Sequence, residues 1–265
     1  MIELTDPTDH LFDDYRSLND QQFRRRYEGA DIFVVEGYVA IDRLIESGHR
    51  IRSVLLARSR VERFAHGELL DARGVPVYVA DREVIGTVVG FDLHRGVVAC
   101  AERRPAPTVA ELTSASRRLA VLEGLNDNEN LGAIARAARA FGIDGLLLDP
   151  TCTDPYSRRT VRVSMGEVLA LPVVRVVSGE WPSVITDVAA AGFDVWAMTP
   201  AAGADDLWSL EVPDRVAVLL GAEGPGLSRS ALAGATRQVR IPISADVDSL
   251  NVGHAAAVTF AALSR

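Results

Sequence analysis

The feature that most constrains this chain is a series of short, almost unbroken apolar runs over residues 118–265. They are LAVLEG (Leu119–Gly124), GLLLD (Gly145–Asp149), PVVRV (Pro172–Val176), FDVWAM (Phe193–Met198), RVAVLLG (Arg215–Gly221) and RQVRIPI (Arg237–Ile243), with helical stretches between them. Val/Leu runs without polar alternation suit strands covered on both faces, so the pattern predicts a parallel α/β sheet layered by helices. The last segment, Ser249–Leu263, is apolar nearly all round and predicts a buried helix. The strand count alone gives an ordinary doubly wound sheet.

A smaller alternation occupies residues 29–101. Ile32–Gly37 reads as a buried strand, followed by a helix to Ser47 with Gly48 as its stop. Ser53–Ala57 is a second strand, and a helix through Ala72 ends at Gly74. Pro76–Ala80 and Gly96–Ala101 are the third and fourth strands. Between the two alternations, Glu102–Ser116 carries two prolines and no apolar period. The predicted organisation is therefore a lead-in at 1–28, irregular or briefly helical, a domain at 29–101, a linker at 102–117 and a domain at 118–265.

Several function classes are disfavoured. No run approaches the roughly 18 apolar residues that span a bilayer. The opening MIELTDPTDHLFDDYRSLNDQQ is acidic and polar, so it does not read as a secretory signal. Cys100 and Cys152 lie far apart without CxxC or His-Cys partners, so zinc, or any metal, is not expected. A reduced, cytoplasmic setting follows. The net charge of −8 argues against nonspecific coating of nucleic acid. A local basic surface is still compatible with it. All 28 basic residues other than histidine are arginine, a residue whose planar fork binds two phosphate oxygens at once. They concentrate at Arg24–Arg26, at Arg136 with Arg139, and at Arg158, Arg159 and Arg162. Any one cluster, read alone, fits a solvated surface better than a phosphate site.

Ligands of open α/β sheets bind beyond the carboxyl ends of the strands, so the loops there carry the chemistry. In LLGAEGPGLS (Leu219–Ser228) three glycines follow a strand, which lets backbone approach a ligand closely. The loop is neither a dinucleotide GxGxxG nor a P-loop, and Glu223 at its centre would repel a pyrophosphate. It suits a ligand without phosphates. In Asn126–Gly142, Asn128 and Asn130 are good helix-start residues, and Ile134, Ala137, Ala138 and Phe141 form an apolar face. Arg136 sits among alanines, free to reach over the helix end or simply solvated. In Ile241–Val258, Ser249 or Asp248 can cap the final helix. Asn251 within an apolar helix demands a partner for its amide, in a structural or a catalytic role. His254 reads as a packed or solvated histidine.

These loops resemble the SpoU/TrmH family of RNA ribose methyltransferases, a branch of the SPOUT superfamily. The resemblance rests on Asn130-Leu-Gly-Ala-Ile-Ala-Arg136-Ala-Ala138, on Leu220-Gly221-Ala-Glu223-Gly-Pro-Gly226-Leu-Ser228, and on Ile241-Pro-Ile243 followed by Asp248-Ser249-Leu250-Asn251-Val252. Asp154–Gly166 also resembles the family's loop before the middle strand. The likeness covers about residues 118–265. More weakly, residues 29–101, with FVVEG and HRGVVA, resemble the family's ribosomal-protein-like RNA-binding domain.

The resemblance implies a C-terminal SPOUT α/β domain with a deep trefoil knot, pairing as a homodimer. It implies S-adenosyl-L-methionine as cofactor and an RNA ribose 2′-hydroxyl as substrate, ribosomal RNA favoured over transfer RNA. It implies Gly221, Ile241, Leu250, Ile243 and Thr199 around the cofactor. Arg136 is the implied central catalytic residue, with Asn130, Glu223, Ser249 and Asn251 completing the site. Arg158, Arg159 and Arg162 are the implied RNA contacts. Two positions depart from the family pattern: His254 replaces a small or β-branched residue, and Asn128 stands where a proline is usual. The alternatives are a transfer-RNA 2′-O-methyltransferase, an inactive RNA-binding protein of the same fold, and a nicotinamide-dependent oxidoreductase, which the missing GxGxxG disfavours.

Overall fold

The computed structural model describes residues 1–18, 31–244 and 246–264. In chain order the first stretch builds β1 (Ile2–Glu3), β2 (Ile32–Glu36), α1 (Tyr38–Glu46), β3 (Ile51–Ala57), α2 (Gly67–Ala72), β4 (Val77–Ala80), α3 (Arg82–Val89) and β5 (Val97–Glu102). There follow α4 (Val109–Ala115), β6 (Arg118–Glu123), α5 (Asn128–Ala140), β7 (Gly145–Leu148), α6 (Arg158–Val163), β8 (Val173–Arg175), α7 (Ser183–Ala190) and β9 (Asp194–Met198). The chain continues through β10 (Asp205–Asp206), β11 (Val216–Gly221), α8 (Arg229–Gly234), β12 (Arg237–Arg240) and α9 (Val252–Leu263).

These elements form two compact units, Met1–Pro105 with Tyr156–Ala170, and Ala106–Pro155 with Leu171–Arg265. The first holds a five-stranded sheet ordered β1-β4-β3-β5-β2. In it β5 runs antiparallel to β2 and β3, while β4 pairs parallel with β3 and β1. The lead-in is structural here. Ile2 and Glu3 pair with β4, and Phe12 and Tyr15, on a 3-10 turn, are fully buried. The Tyr15 hydroxyl meets the Ser53 hydroxyl at 2.7 Å, so burying the phenol leaves no unpaired polar atom there. Arg24–Arg26 lie outside the described residues.

Residues 156–170, expected inside the second domain, instead pack within the first unit. Arg158 Nη1 donates to Glu36 Oε2 at 2.9 Å, and Arg43 Nε donates to Glu167 Oε1 at 3.0 Å. The Tyr156 ring lies 5.2 Å from that of Phe33. Tertiary pairing overrides sequence adjacency, because these contacts span more than a hundred residues of chain.

The second unit is a parallel seven-stranded sheet ordered β10-β12-β9-β11-β6-β7-β8. All six of its longer strands follow the apolar runs, and the interiors of β6, β7 and β11 are buried throughout. Helix α4 falls in the stretch expected to be linker. Its start is a capping box: the Thr108 hydroxyl accepts from the Glu111 amide at 3.2 Å and the Glu111 carboxylate accepts from the Thr108 amide at 2.7 Å. Leu112 anchors the helix in the core. On the other face α5 and α9 pack through small residues; a Cβ on Gly253 would lie 3.2 Å from that of Ala133.

Candidate active site

Strand β11 lies between β9 and β6, and its last residue, Gly221, is in register with Glu123, the last of β6. The loops leaving these strands therefore open side by side at the carboxyl end of the sheet. A cavity of about 450 Å³ lies there, within the range of small-molecule sites. Its wall is built from the end of β9 (Met198, Thr199), the loop after β11 (Gly221–Gly226), the segment after β12 (Ile241, Ile243) and the entry to α9 (Ser249–Val252). Glu223 is the single charged side chain among the described residues of that wall.

Gly221 is where glycine is indispensable. A Cβ there would lie 2.4 Å from the carbonyl carbon of Gly226 and 2.5 Å from the amide of Leu227, both backbone atoms that cannot swing away. The loop folds back on itself, with Gly226 N donating to Ala222 O at 3.0 Å.

Polar groups from three distant segments meet at Asn251. Its amide nitrogen donates to Asn130 Oδ1 at 2.9 Å and to Glu223 Oε1. Its carbonyl accepts from Gly253 N at 2.9 Å and His254 N at 3.3 Å, making Asn251 the N-cap of α9. The helix thus starts later than expected, and Asn251 replaces Ser249 or Asp248 as its cap. The oddity of an asparagine in an apolar helix disappears, because all of its hydrogen-bonding capacity is used at the helix mouth.

The sequence left one anchor unnoticed. The Glu123 carboxylate accepts from Trp181 Nε1, Ser228 N and Ser228 Oγ, each at 2.8 Å. Ser228 in turn caps α8 by accepting from Ala231 N at 3.1 Å. Glu123 therefore ties the far end of the Gly221–Gly226 loop to β6. A carboxylate ending a buried strand was the available signal, but its partners are 58 and 105 residues away.

All five residues expected around the cofactor, Thr199, Gly221, Ile241, Ile243 and Leu250, line the cavity, as do Glu223, Ser249 and Asn251. Asn130 joins them through Asn251. Arg136 lies exposed on α5, outside the cavity wall. Helix α5 begins after Asp127, which caps it by accepting from Glu129 N, so neither Asn128 nor Asn130 is the cap. Asn128, at the position of the family's proline, accepts from the Thr153 hydroxyl at 2.8 Å. Arg158, Arg159 and Arg162 sit on α6, in the first unit. Both cysteines are free and buried, and burial pushes the Cys152 thiol up to about 12. No helix of the described residues is long and apolar enough to cross a membrane, and none of their His, Cys, Asp and Glu side chains form a metal-sized group.

Comparison with known proteins agrees with this geometry. The SpoU rRNA Methylase family matches residues 117–261, and the RNA 2'-O ribose methyltransferase substrate binding family matches residues 34–106. An uncharacterized tRNA/rRNA methyltransferase of Mycobacterium tuberculosis is 40% identical over 97% of this chain and 90% of its own length. The 23S rRNA (guanosine-2'-O-)-methyltransferase of Salmonella typhimurium is 25% identical over 85% of this chain and 95% of its own. Among solved structures, an AdoMet-bound rRNA methyltransferase from Sinorhizobium meliloti superposes with a TM-score of 0.83 at 30% identity, covering 98% of this chain and 96% of that one. With both halves of the chain matched and the loop residues gathered at one cavity, the chain belongs to the SpoU rRNA methylase family, a family of RNA methyltransferases.

Proposed function

We propose that this protein transfers the methyl group of S-adenosylmethionine to a ribose 2′-hydroxyl of RNA, with ribosomal RNA ahead of transfer RNA as substrate. The observation that carries the reading is the cavity at Gly221–Gly226. Among the described residues its wall offers apolar side chains, closely folded backbone and one carboxylate, and no cation to hold a phosphate. That chemistry fits an adenosine bearing a positive sulfonium. Ile243 and Leu250 are each 37% exposed at its edge, apolar surface that a bound adenine would cover. When bound, S-adenosylmethionine supplies an electrophilic methyl whose carrier leaves as a neutral thioether.

The protein's own groups divide the remaining work. Gly221, Ile241, Ile243, Leu250 and Thr199 bind the donor. Asn251 braces Asn130 against Glu223, so the polar edge of the site is held before RNA arrives. Arg136, outside the donor cavity, holds the RNA phosphate and stabilises negative charge developing on the attacking oxygen. A trefoil knot, a homodimer pairing the second unit, and a cytoplasmic location belong to the same reading. They are supported by family membership. The relative from Salmonella typhimurium, a ribosomal RNA enzyme by name, supports the ribosomal preference.

Calorimetry with S-adenosylmethionine, a nicotinamide dinucleotide and adenosine triphosphate tests the assignment. Heat is expected from the methyl donor alone. Tight triphosphate binding without a response to the donor would overturn it.

The anchor at Glu123 gives a second expectation. Glu123→Ala frees Ser228 and the Trp181 indole, which loosens the Gly221–Gly226 loop. Donor affinity should fall about tenfold, matching roughly 1–3 kcal/mol for stranded partners. Turnover at saturating donor should change much less. Trp181 itself reports the event, because its fluorescence should shift in the variant. Unchanged donor affinity in Glu123→Ala would remove the anchor from the mechanism.

A further inference from the structure

The carboxyl ends of β2 and β3 and the amino end of β5 meet at one edge of the first unit. Gly37 N donates to Val97 O at 3.1 Å, and Ala57 N donates to Gly96 O at 2.8 Å. Both glycines have positive φ, +93° at Gly37 and +67° at Gly96. An arginine side chain also occupies the space a Cβ would take at each of them. A Cβ on Gly37 would be 2.7 Å from Arg95 Cδ and 2.8 Å from Arg95 Nη1, and one on Gly96 would be 2.8 Å from Arg60 Cγ. Any other residue at these positions would push the arginines out.

The neighbouring charges are already matched. Glu36, next to Gly37, takes Arg158 at 2.9 Å, and the Arg158 guanidinium lies 4.3 Å from the centre of the Phe91 ring. Asp92 takes Arg82 at 2.5 Å and lies 3.4 Å from His94. Arg58, on the same strand end, is held by Glu3 and Asp81 at 2.6 and 2.8 Å. Among the described residues, Arg60 and Arg95 have no ion-pair or hydrogen-bond partner at all.

No described residue neutralises either guanidinium, so both charges are available to an anionic ligand. The two side chains pack against glycines at the same strand edge. They present forks suited to phosphate oxygens. We infer that Arg60 and Arg95, seated on Gly96 and Gly37, form a phosphate clamp for the sugar–phosphate backbone of RNA. Arg158, pinned between Glu36 and Phe91, flanks the clamp. The inference rests on the proposed RNA methyltransferase function. It moves the main phosphate contact away from Arg158, Arg159 and Arg162 to residues of the loops after β3 and before β5. Because phosphates carry no base identity, the clamp sets affinity and register, and other contacts set the choice of nucleotide.

The test compares the full-length protein with Arg60→Gln/Arg95→Gln, which keeps both stems on the glycines, and with Arg58→Ala as a control that removes one neighbouring, already paired charge. The probe is a fluorescein-labelled RNA stem-loop titrated at several salt concentrations. Thermal unfolding and donor calorimetry are run on each variant. Removing two phosphate contacts is expected to weaken binding about tenfold or more at low salt and to flatten the log–log salt slope by roughly one to two. Arg58→Ala should keep the wild-type slope. Donor affinity and unfolding temperature should hold in the double variant. A wild-type affinity and slope in a folded double variant overturns the clamp, as does an equal loss in Arg58→Ala. A separate arm measures transfer of labelled methyl from S-adenosylmethionine to total RNA by the wild-type protein. Absence of transfer with the salt effect intact would count against the methyltransferase reading while leaving the clamp standing.

Discussion

Replacing Arg136 by alanine is expected to abolish most methyl transfer while leaving donor affinity within error of wild type. The separation follows from where the residues lie. The donor cavity is lined by the ends of β9 and β11, the segment after β12 and the entry to α9, and Arg136 is on none of them. It is exposed on α5, on the same helix as Asn130, which the Asn251 brace holds at the polar edge. A charge-assisted contact made chiefly in the transition state is worth about 10²–10³ in rate, or roughly 3–4 kcal/mol. Arg136→Lys should restore little, because a point charge does not reproduce the planar fork. The measurement is single-turnover methylation of RNA beside calorimetric titration of the donor. Near-normal turnover in Arg136→Ala, or donor binding lost with it, would remove Arg136 from the chemistry.

The opposite pattern is expected for Gly221→Ala. The added methyl would meet backbone atoms of Gly226 and Leu227 at about 2.4 to 2.5 Å, far inside van der Waals contact. No rotamer relieves it, so the Gly221–Gly226 loop must open. Overpacking of this kind costs about 1–3 kcal/mol or more, and the strain falls on the wall of the donor cavity. Donor affinity should drop by about a hundredfold, with a lower unfolding temperature. Leu250→Asp provides the companion that changes chemistry without touching that loop. Leu250 is half-exposed at the cavity edge, so a carboxylate there should spare the fold and still repel the adenine from an apolar seat. Unchanged donor binding in both variants would mean that the donor binds elsewhere.

Local pattern determined a good deal of this protein. The unbroken Val/Leu runs became β6, β7, β8, β9, β11 and β12 because burial on both faces leaves a direct trace in the sequence. The glycine-rich loop after β11 was legible as a loop of close backbone approach and phosphate aversion, which are properties of its own residues, whereas the role of the Ile241–Asn251 segment was implied only by the family resemblance; both line the cavity. The Thr108–Glu111 capping box was equally local, yet the prolines beside it obscured a short helix. What no local pattern carried was how the loops meet. Asn251 braces Asn130 across 121 residues, Glu123 holds Ser228 across 105, and Arg158 reaches Glu36 across 122. The phosphate clamp depends on two glycines brought together only when β2, β3 and β5 pair. Periodicity records whether a residue is buried, not against what. The partners of Glu123 and Asn251, and the glycine under the Arg95 side chain, were therefore decided by the tertiary structure, through strand order and register.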